Sequence, residues 1–268
     1  MHRTGIRNRH ISRLTKLLAT ISAFSVLLLN CSCSIGSESD TGNSQVSASF
    51  TGIAEENIDK PVRLTMFSST LGKEKSKDNE IRKLIADKTG VEVVEVWLTG
   101  QTSQNVFDGL LQSRNLPDYV YFNERLDDFY EAELLVAWDP YIEQYPDIKS
   151  LYTDEEWDMF RQADGHIYSV NIPGAPVWYG NSETEGGLCN TAGFAVTTCC
   201  KDPDTAFKFI NDILSDEVMD LRFWGIEGVD YSVNADGTYY RTQEMTEKWN
   251  DEEYVIEHVC QYLMMPQR

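Results

Sequence analysis

Two carboxyl groups held across a bound glycoside could hydrolyse it, and carboxylates are abundant here: 43 Asp and Glu against 23 Lys and Arg. Asp127, Asp128, Glu131 and Glu133 form the densest group. Their spacing lays them along one exposed helix, not on two sides of a substrate, which reads as a solvated face. Of the four histidines, only His166 and His258 lie beyond the first ten residues, and neither has a serine–acid arrangement near it. G-x-S-x-G, H-E-x-x-H, P-loop and G-x-G-x-x-G patterns are all absent. Cys189, Cys199, Cys200 and Cys260 show no C-x-x-C spacing, so no metal site is expected. Adjacent Cys199 and Cys200 cannot comfortably pair with each other. A disulfide such as Cys189 to Cys199 and buried free thiols both stay open. The expectation is a chain that is not an enzyme and carries no cofactor.

Another reactive position lies near the start. Arg3, Arg7, Arg9, Arg13 and Lys16 precede an apolar run over 17–29, which ends at Asn30-Cys31-Ser32-Cys33. A basic segment, a short apolar run and a small polar exit make an export signal. The run is too short to cross a bilayer comfortably. A cysteine directly after it resembles the bacterial lipobox, in which the thiol is diacylated and becomes the new N-terminus. Cys31 has Leu28 three residues before it but Asn30 at the cleavage point; Cys33 has Ser32 before it but Asn30 at minus three. One of the two is the expected lipid attachment site, and two acyl chains hold a soluble domain on a membrane stably. The expected location is the cell membrane, facing the extracytoplasmic side.

All the acidic residues lie beyond residue 30, whereas five of the basic ones lie within the signal. What remains has 18 basic and 43 acidic residues, a net charge of about −25. Phosphate backbones need a basic face, so nucleic acid is excluded as a partner. Anionic lipid is likewise a poor surface for the domain itself, leaving attachment to the anchor.

The elements follow from periodicity. Residues 34–60 are rich in Ser, Gly, Asn and acids, a flexible tether. Alternation over 62–67 predicts a strand, and 68–77 a polar loop. Asp78 or Asn79 caps a helix with Ile81, Leu84 and Ile85 on one face, stopped at Thr89-Gly90. A strand over 91–98 follows, then a helix capped by Thr102 or Ser103, then a strand over 119–122. Strand–helix–strand–helix–strand at this pitch predicts a doubly wound, mainly parallel α/β sheet flanked by helices. Further on, the pattern predicts a helix from Leu126 through Leu135, a strand near 165–170, a strand over 193–197, and a helix capped at Asp202-Pro203-Asp204. A second helix ends at Trp224-Gly225, and a hairpin spans 231–240. Trp138, Trp157 and Trp224 are expected to pack in the interior.

Several segments carry a family resemblance in this order. They are Lys60-Pro61-Val62-Arg63-Leu64-Thr65, the LQSRNLPDYV stretch over 111–120, 135–142 with its Asp-x-Tyr-Ile turn, and Asp164-Gly165-His166-Ile167-Tyr168. The second half adds GFAVTTCCKDPDTAFKFINDILSDE over 193–217 and Trp224-Gly225-Ile226-Glu227-Gly228-Val229-Asp230-Tyr231. With the lipobox, this order is similar to bacterial extracellular solute-binding proteins of family 1, the lipoprotein receptors of ATP-driven importers. The resemblance covers most of residues 60–240. It implies a periplasmic-binding-protein-like fold, a small polar solute (an oligosaccharide first, a peptide second) and the membrane subunits of an ABC importer as partners.

Such receptors have two lobes, and the chain crosses from the first to the second and returns. Here the crossing near Tyr168 and the return at Gly193 are about 20 residues apart, while a lobe needs at least about 50. The expected organisation is a signal peptide over 1–30, a lipidated tether over 31–59, one lobe over 60–240 with a shortened crossover at 171–190, and an acidic, helical tail over 241–268. A genuine internal deletion and an incomplete gene product both fit this spacing, and so does a vestigial surface module. Open α/β sheets bind ligands at the carboxyl ends of their strands. By the resemblance, those ends face the former cleft: Ser68-Ser69-Thr70, Thr99-Gly100-Gln101 and Asn123-Glu124-Arg125. Ser69, Thr70, Gln101, Asn123 and Arg125 are therefore the candidate ligand-binding residues, with Trp178 and Tyr179 as platforms for a sugar ring.

Overall fold

Alternating side chains along β1 (Val62–Leu71) divide the interior in two. Leu64 and Met66 join one apolar cluster and Phe67 joins the other, as a period of two requires. In β3 (Tyr119–Phe122), Tyr119 takes the first side, and Val120 and Phe122 the second. A sheet apolar on both faces must be covered on both. In the computed structural model, which describes residues 60–172 and 193–268, α1 (Glu80–Thr89) lays Ile81 and Ile85 on the first face. The opposite face takes Phe107 and Leu110 of α2 (Ser103–Ser113). The described residues all fall in one unit, Ser47–Arg268.

With β2 (Val91–Leu98) and β4 (Gly193–Val196), the sheet has the order β2-β1-β3-β4. β1 pairs in parallel with β2 and β3, and β4 runs antiparallel to β3. From β1 the chain passes through α1 to β2 on one side, then through α2 on the opposite face to β3 on the other. That reversal makes the arrangement doubly wound, with its switch point between β1 and β3. The expected mainly parallel α/β lobe is therefore observed.

Local chemistry sets the element ends. Asn79 caps α1: its Oδ1 accepts from Arg82 N at 3.0 Å, while its amide donates to the carbonyls of Ile256 and Val259. Only a buried amide can serve both sides of that junction, so Asn79 takes the cap and Asp78 is left outside, on Lys83. Thr102 caps α2. α7 (Pro203–Ile213) begins behind Asp202, whose side chain accepts from Thr205 N, and buries Ala206, Phe207, Phe209, Ile210 and Ile213.

Three expectations change. The segment expected to be loop from Ser68 onward remains strand to Leu71, because β2 supplies partners through Leu98 across a bulge between Ser68 and Leu71. The helix from Leu126, α3 (Leu126–Glu131), stops early. Glu133 takes φ 58°, and Leu135 instead bridges Thr197 beside β4. Around 165–170 there is a single bridge, Val170 to Phe194, and no extended strand.

The first face is completed by α4 (Asp139–Gln144), α5 (Pro146–Lys149), α6 (Asp154–Met159) and α8 (Asp216–Phe223). Trp138 and Trp157 are buried there as expected, while Trp224 is half-buried. A short hairpin, β5 (Ser232–Val233) with β6 (Tyr239–Tyr240), leads to α9 (Gln243–Trp249) and α10 (Glu252–Glu257). Residues 258–268 then run without helix, and Cys260, Tyr262 and Met265 are buried in the first cluster. Buried Arg222 holds this segment by donating to the carbonyls of Gln261, Tyr262 and Pro266. Cys199, Cys200 and Cys260 are free thiols; Cys189 lies outside the described residues.

Candidate functional site

The register places the chain crossing at the same end of the sheet as the carboxyl ends of β1 to β3. Gly193 lies opposite Phe122, the last residue of β3. Val170 and Phe194 exchange both backbone hydrogen bonds, at 3.0 and 2.8 Å, so Ile172 leaves and Gly193 enters beside that end. Lower on the sheet, Asp118 of the Leu-Pro-Asp turn locks β1 to β3. Its Oδ2 accepts from the backbone N and hydroxyl of Thr65 at 2.7 and 2.8 Å.

At the switch point Ser68 and Ser69 are buried, and Thr70 is half-buried. Ser69 Oγ accepts from Asn123 N at 2.8 Å, tying the ends of β1 and β3 together. Ser68 and Thr70 share a hydroxyl–hydroxyl bond at 2.9 Å. Asn123 Oδ1 is buried and makes no hydrogen bond among the described residues. A buried acceptor left unmet costs about 1–3 kcal/mol, so it is a natural point for a ligand donor. Trp97 Nε1, at the end of β2, is a buried donor in the same condition. Its ring packs against Gly72, where a Cβ would come within 2.2 Å of it.

Arg125 sits at φ 63° immediately before α3, with much of its charge already matched. Its Nε donates to Asp128 at 2.6 Å, and its Nη1 to Asp108 at 2.6 Å and to the Gln104 carbonyl at 3.5 Å. These hydrogen bonds raise its pKa further, outweighing desolvation. Beside it, Glu124 accepts from Ser103 Oγ. Gln101 is exposed after Gly100, which takes φ 83°. The structure thus brings Ser69, Thr70, Asn123 and Arg125 to one end of the sheet, with Gln101 at the neighbouring strand end. Trp178, Tyr179, Cys31 and Cys33 lie outside the described residues.

Trp97, Asp108 and Asp128 were not singled out for this site by sequence. The i, i+3 spacing of Arg125 and Asp128 was a visible signal; Asp108 required the contact between α2 and the loop after β3. The other carboxylates of that group, Asp127 and Glu131 on α3 and Glu133 just beyond it, are exposed. His166 meets Asp139 at 3.3 Å, and His258 is buried between Glu80 and Asp230 at 2.8 Å to each. Among the described residues, no group of three His, Cys, Asp or Glu could hold a metal, and no helix is long and apolar enough to cross a membrane. Grooves of about 450 Å³ beside Tyr130 and Tyr168, and about 260 Å³ beside Trp157 and Arg161, include none of the expected ligand residues.

A doubly wound lobe whose chain crosses at the carboxyl ends of its strands has the fold of a periplasmic solute-binding protein. Solved structures agree. An alginate-binding protein, AlgQ2, in a structure without calcium ion, superposes with a TM-score of 0.53 at 14% identity, covering 75% of this chain and 77% of that one. An HMO-binding, ABC-transporter-associated solute-binding protein from Bifidobacterium longum infantis gives 0.54 at 8% identity, covering 78% of each chain. No protein-family model and no curated protein matches the sequence. At these identities the likeness is one of fold.

Proposed function

We propose that this chain is a non-catalytic, extracytoplasmic solute-binding lipoprotein of an ABC-type importer, anchored through Cys31 or Cys33. Its solute is a polar molecule, an oligosaccharide before a peptide, received where β1 and β3 end. The observation that carries this reading is the placement of the chain crossing at the switch-point end, next to Ser69, Thr70, Asn123 and Arg125. Hydroxyl, amide and guanidinium groups suit hydroxyl-rich ligands, and the fold neighbours named for alginate and HMO binding favour a saccharide. Calorimetric titration of the full chain with a panel of neutral oligosaccharides and short peptides tests it. Saturable binding weakened by Asn123→Ala supports the reading, whereas no heat with any member of the panel sinks it.

A second reading rests on the 20 residues, 173–192, between the two crossing points. That span is too short for another lobe, which favours a vestigial surface module acting by interaction alone. Uptake of a bound solute that depends on the importer subunits would exclude it.

A further inference from the structure

The charges at the rim of the cleft are distributed unevenly, and Arg125 is the key to them. Two carboxylates, Asp108 and Asp128, bind its guanidinium at 2.6 Å each. One cation therefore faces two anions, and Glu124 adds a third beside them. Across the switch point, Lys73 is paired with Glu252, and Lys75 is half-buried with its ammonium on the Val255 carbonyl. Burial lowers the Lys75 pKa, although Cys260 and Glu95 oppose that shift. Lys77 makes no ion pair among the described residues, but it sits between Glu74 and Asp78 in the sequence.

We propose that Asp108 and Asp128 set the charge selectivity of this cleft, making it a receptor for uncharged polyhydroxylated solutes and excluding polyanionic ones such as oligouronates. The inference rests on the solute-binding reading above. By neutralising Arg125 without occupying all of it, the two carboxylates convert a cation into a hydrogen-bond donor. Nε and Nη1 are committed to protein oxygens, while Nη2 keeps its N–H donors without a partner among the described residues. Those donors can meet a sugar hydroxyl. A carboxylate in the same place would gain the hydrogen bonds but meet the surplus negative charge of the rim. Specificity of this kind comes from building repulsion against the competitor as much as attraction for the ligand.

The test titrates the full chain with a neutral oligosaccharide and with the uronate of matching length and linkage. The neutral sugar is expected to bind at least about tenfold more tightly. Uronate affinity should rise as ionic strength rises from about 20 to about 300 mM, because salt screens repulsion across this range. In D108N/D128N the ratio of the two affinities should narrow by at least roughly fivefold, the effect in water of just one of the two removed charges at about 4 Å. A melting temperature confirms that the variant is folded; if it is not, the salt series on the wild type decides. Wild-type binding of uronate as tight as that of the neutral sugar would overturn the proposal, as would uronate affinity that falls with salt or an unchanged ratio in a folded variant. If neither sugar binds the wild type, the solute-binding reading itself fails and takes this inference with it.

Discussion

Single residues carry unequal shares of this fold, and Asp118 carries more than its partial exposure suggests. One carboxylate oxygen takes both the backbone N–H and the hydroxyl of Thr65, while Asp118 N donates back to Thr65 Oγ1 at 3.2 Å. Asp118→Ala leaves the Thr65 groups unpaired between two parallel strands. A loss of about 1–3 kcal/mol is expected, measured as a lower urea midpoint at constant slope. Gly225 is the other sensitive position. It takes φ 91°, and a Cβ there would lie 2.4 Å from Asp230 Oδ2. That oxygen already accepts from Ile226 N at 2.7 Å and His258 Nε2 at 2.8 Å. Gly225→Ala therefore combines backbone strain with a displaced carboxylate, and at least about 2 kcal/mol of destabilisation is expected in the same urea assay. Both positions fall in stretches legible in the sequence, the Leu-Pro-Asp turn and the Trp-Gly-x-Glu-Gly segment. The site residues were legible only as types at strand ends. Nothing in the one-dimensional pattern shows that Ser69 is consumed by Asn123 N, or that Asp108 reaches Arg125 from another helix.

Among the elements, those with a complete local period were legible, and those held by distant partners were not. β1 follows from alternation, β2 and β3 from short apolar runs between helices, and α7 from its apolar stripe behind Asp202-Pro203. The extension of β1 to Leu71 depends on β2, and the early stop of α3 depends on the bridge of Leu135 to Thr197. The acidic stretch after 241 hid its tertiary role, because its apolar residues are sparse and unperiodic. The structure ties it to α1 through one buried network. Asp230 accepts from His258, Ile226, Trp249 and Tyr254, and His258 also meets Glu80 at the start of α1. Burial alone would raise the Asp230 pKa, but these donors hold it at about 2 against an ordinary 3.8. Burial alone would lower the His258 pKa, but Asp230 and Glu80 raise it above its ordinary 6.5. A depressed acid contributes fully above its unfolded value and loses that contribution as pH falls through its folded one. A raised histidine contributes fully below 6.5 and loses its share as pH rises through the folded value. The network should therefore stabilise most between about pH 4 and 6.5. Urea midpoints measured across that window should decline on both sides of it, and His258→Gln should flatten the alkaline limb. An alkaline limb unchanged in the variant would remove His258 from the account.

At the scale of the whole molecule, the proposed receptor would offer its solute only half a cleft. Two-lobed receptors close around their ligand, and closure supplies the second set of contacts while removing water. Between Ile172 and Gly193 this chain has 20 residues, where at least about 50 would be needed for an opposing lobe. If a complete site holds its sugar at about 1 μM, near −8.2 kcal/mol, half of that free energy leaves about −4.1 kcal/mol, or about 1 mM. Pre-organisation of the switch-point end by Asn123, Ser69 and the Arg125 fork reduces the ordering cost of binding. The expected affinity for a neutral oligosaccharide is therefore about 0.1–1 mM by calorimetry. The described residues form a single lobe, so the radius of gyration measured by X-ray scattering should stay the same when sugar is added. A dissociation constant below about 1 μM accompanied by contraction would mean that the missing half of the cleft is supplied from elsewhere. A doubling of the scattering mass would then assign that half to a second copy, and an unchanged mass to residues of the same chain.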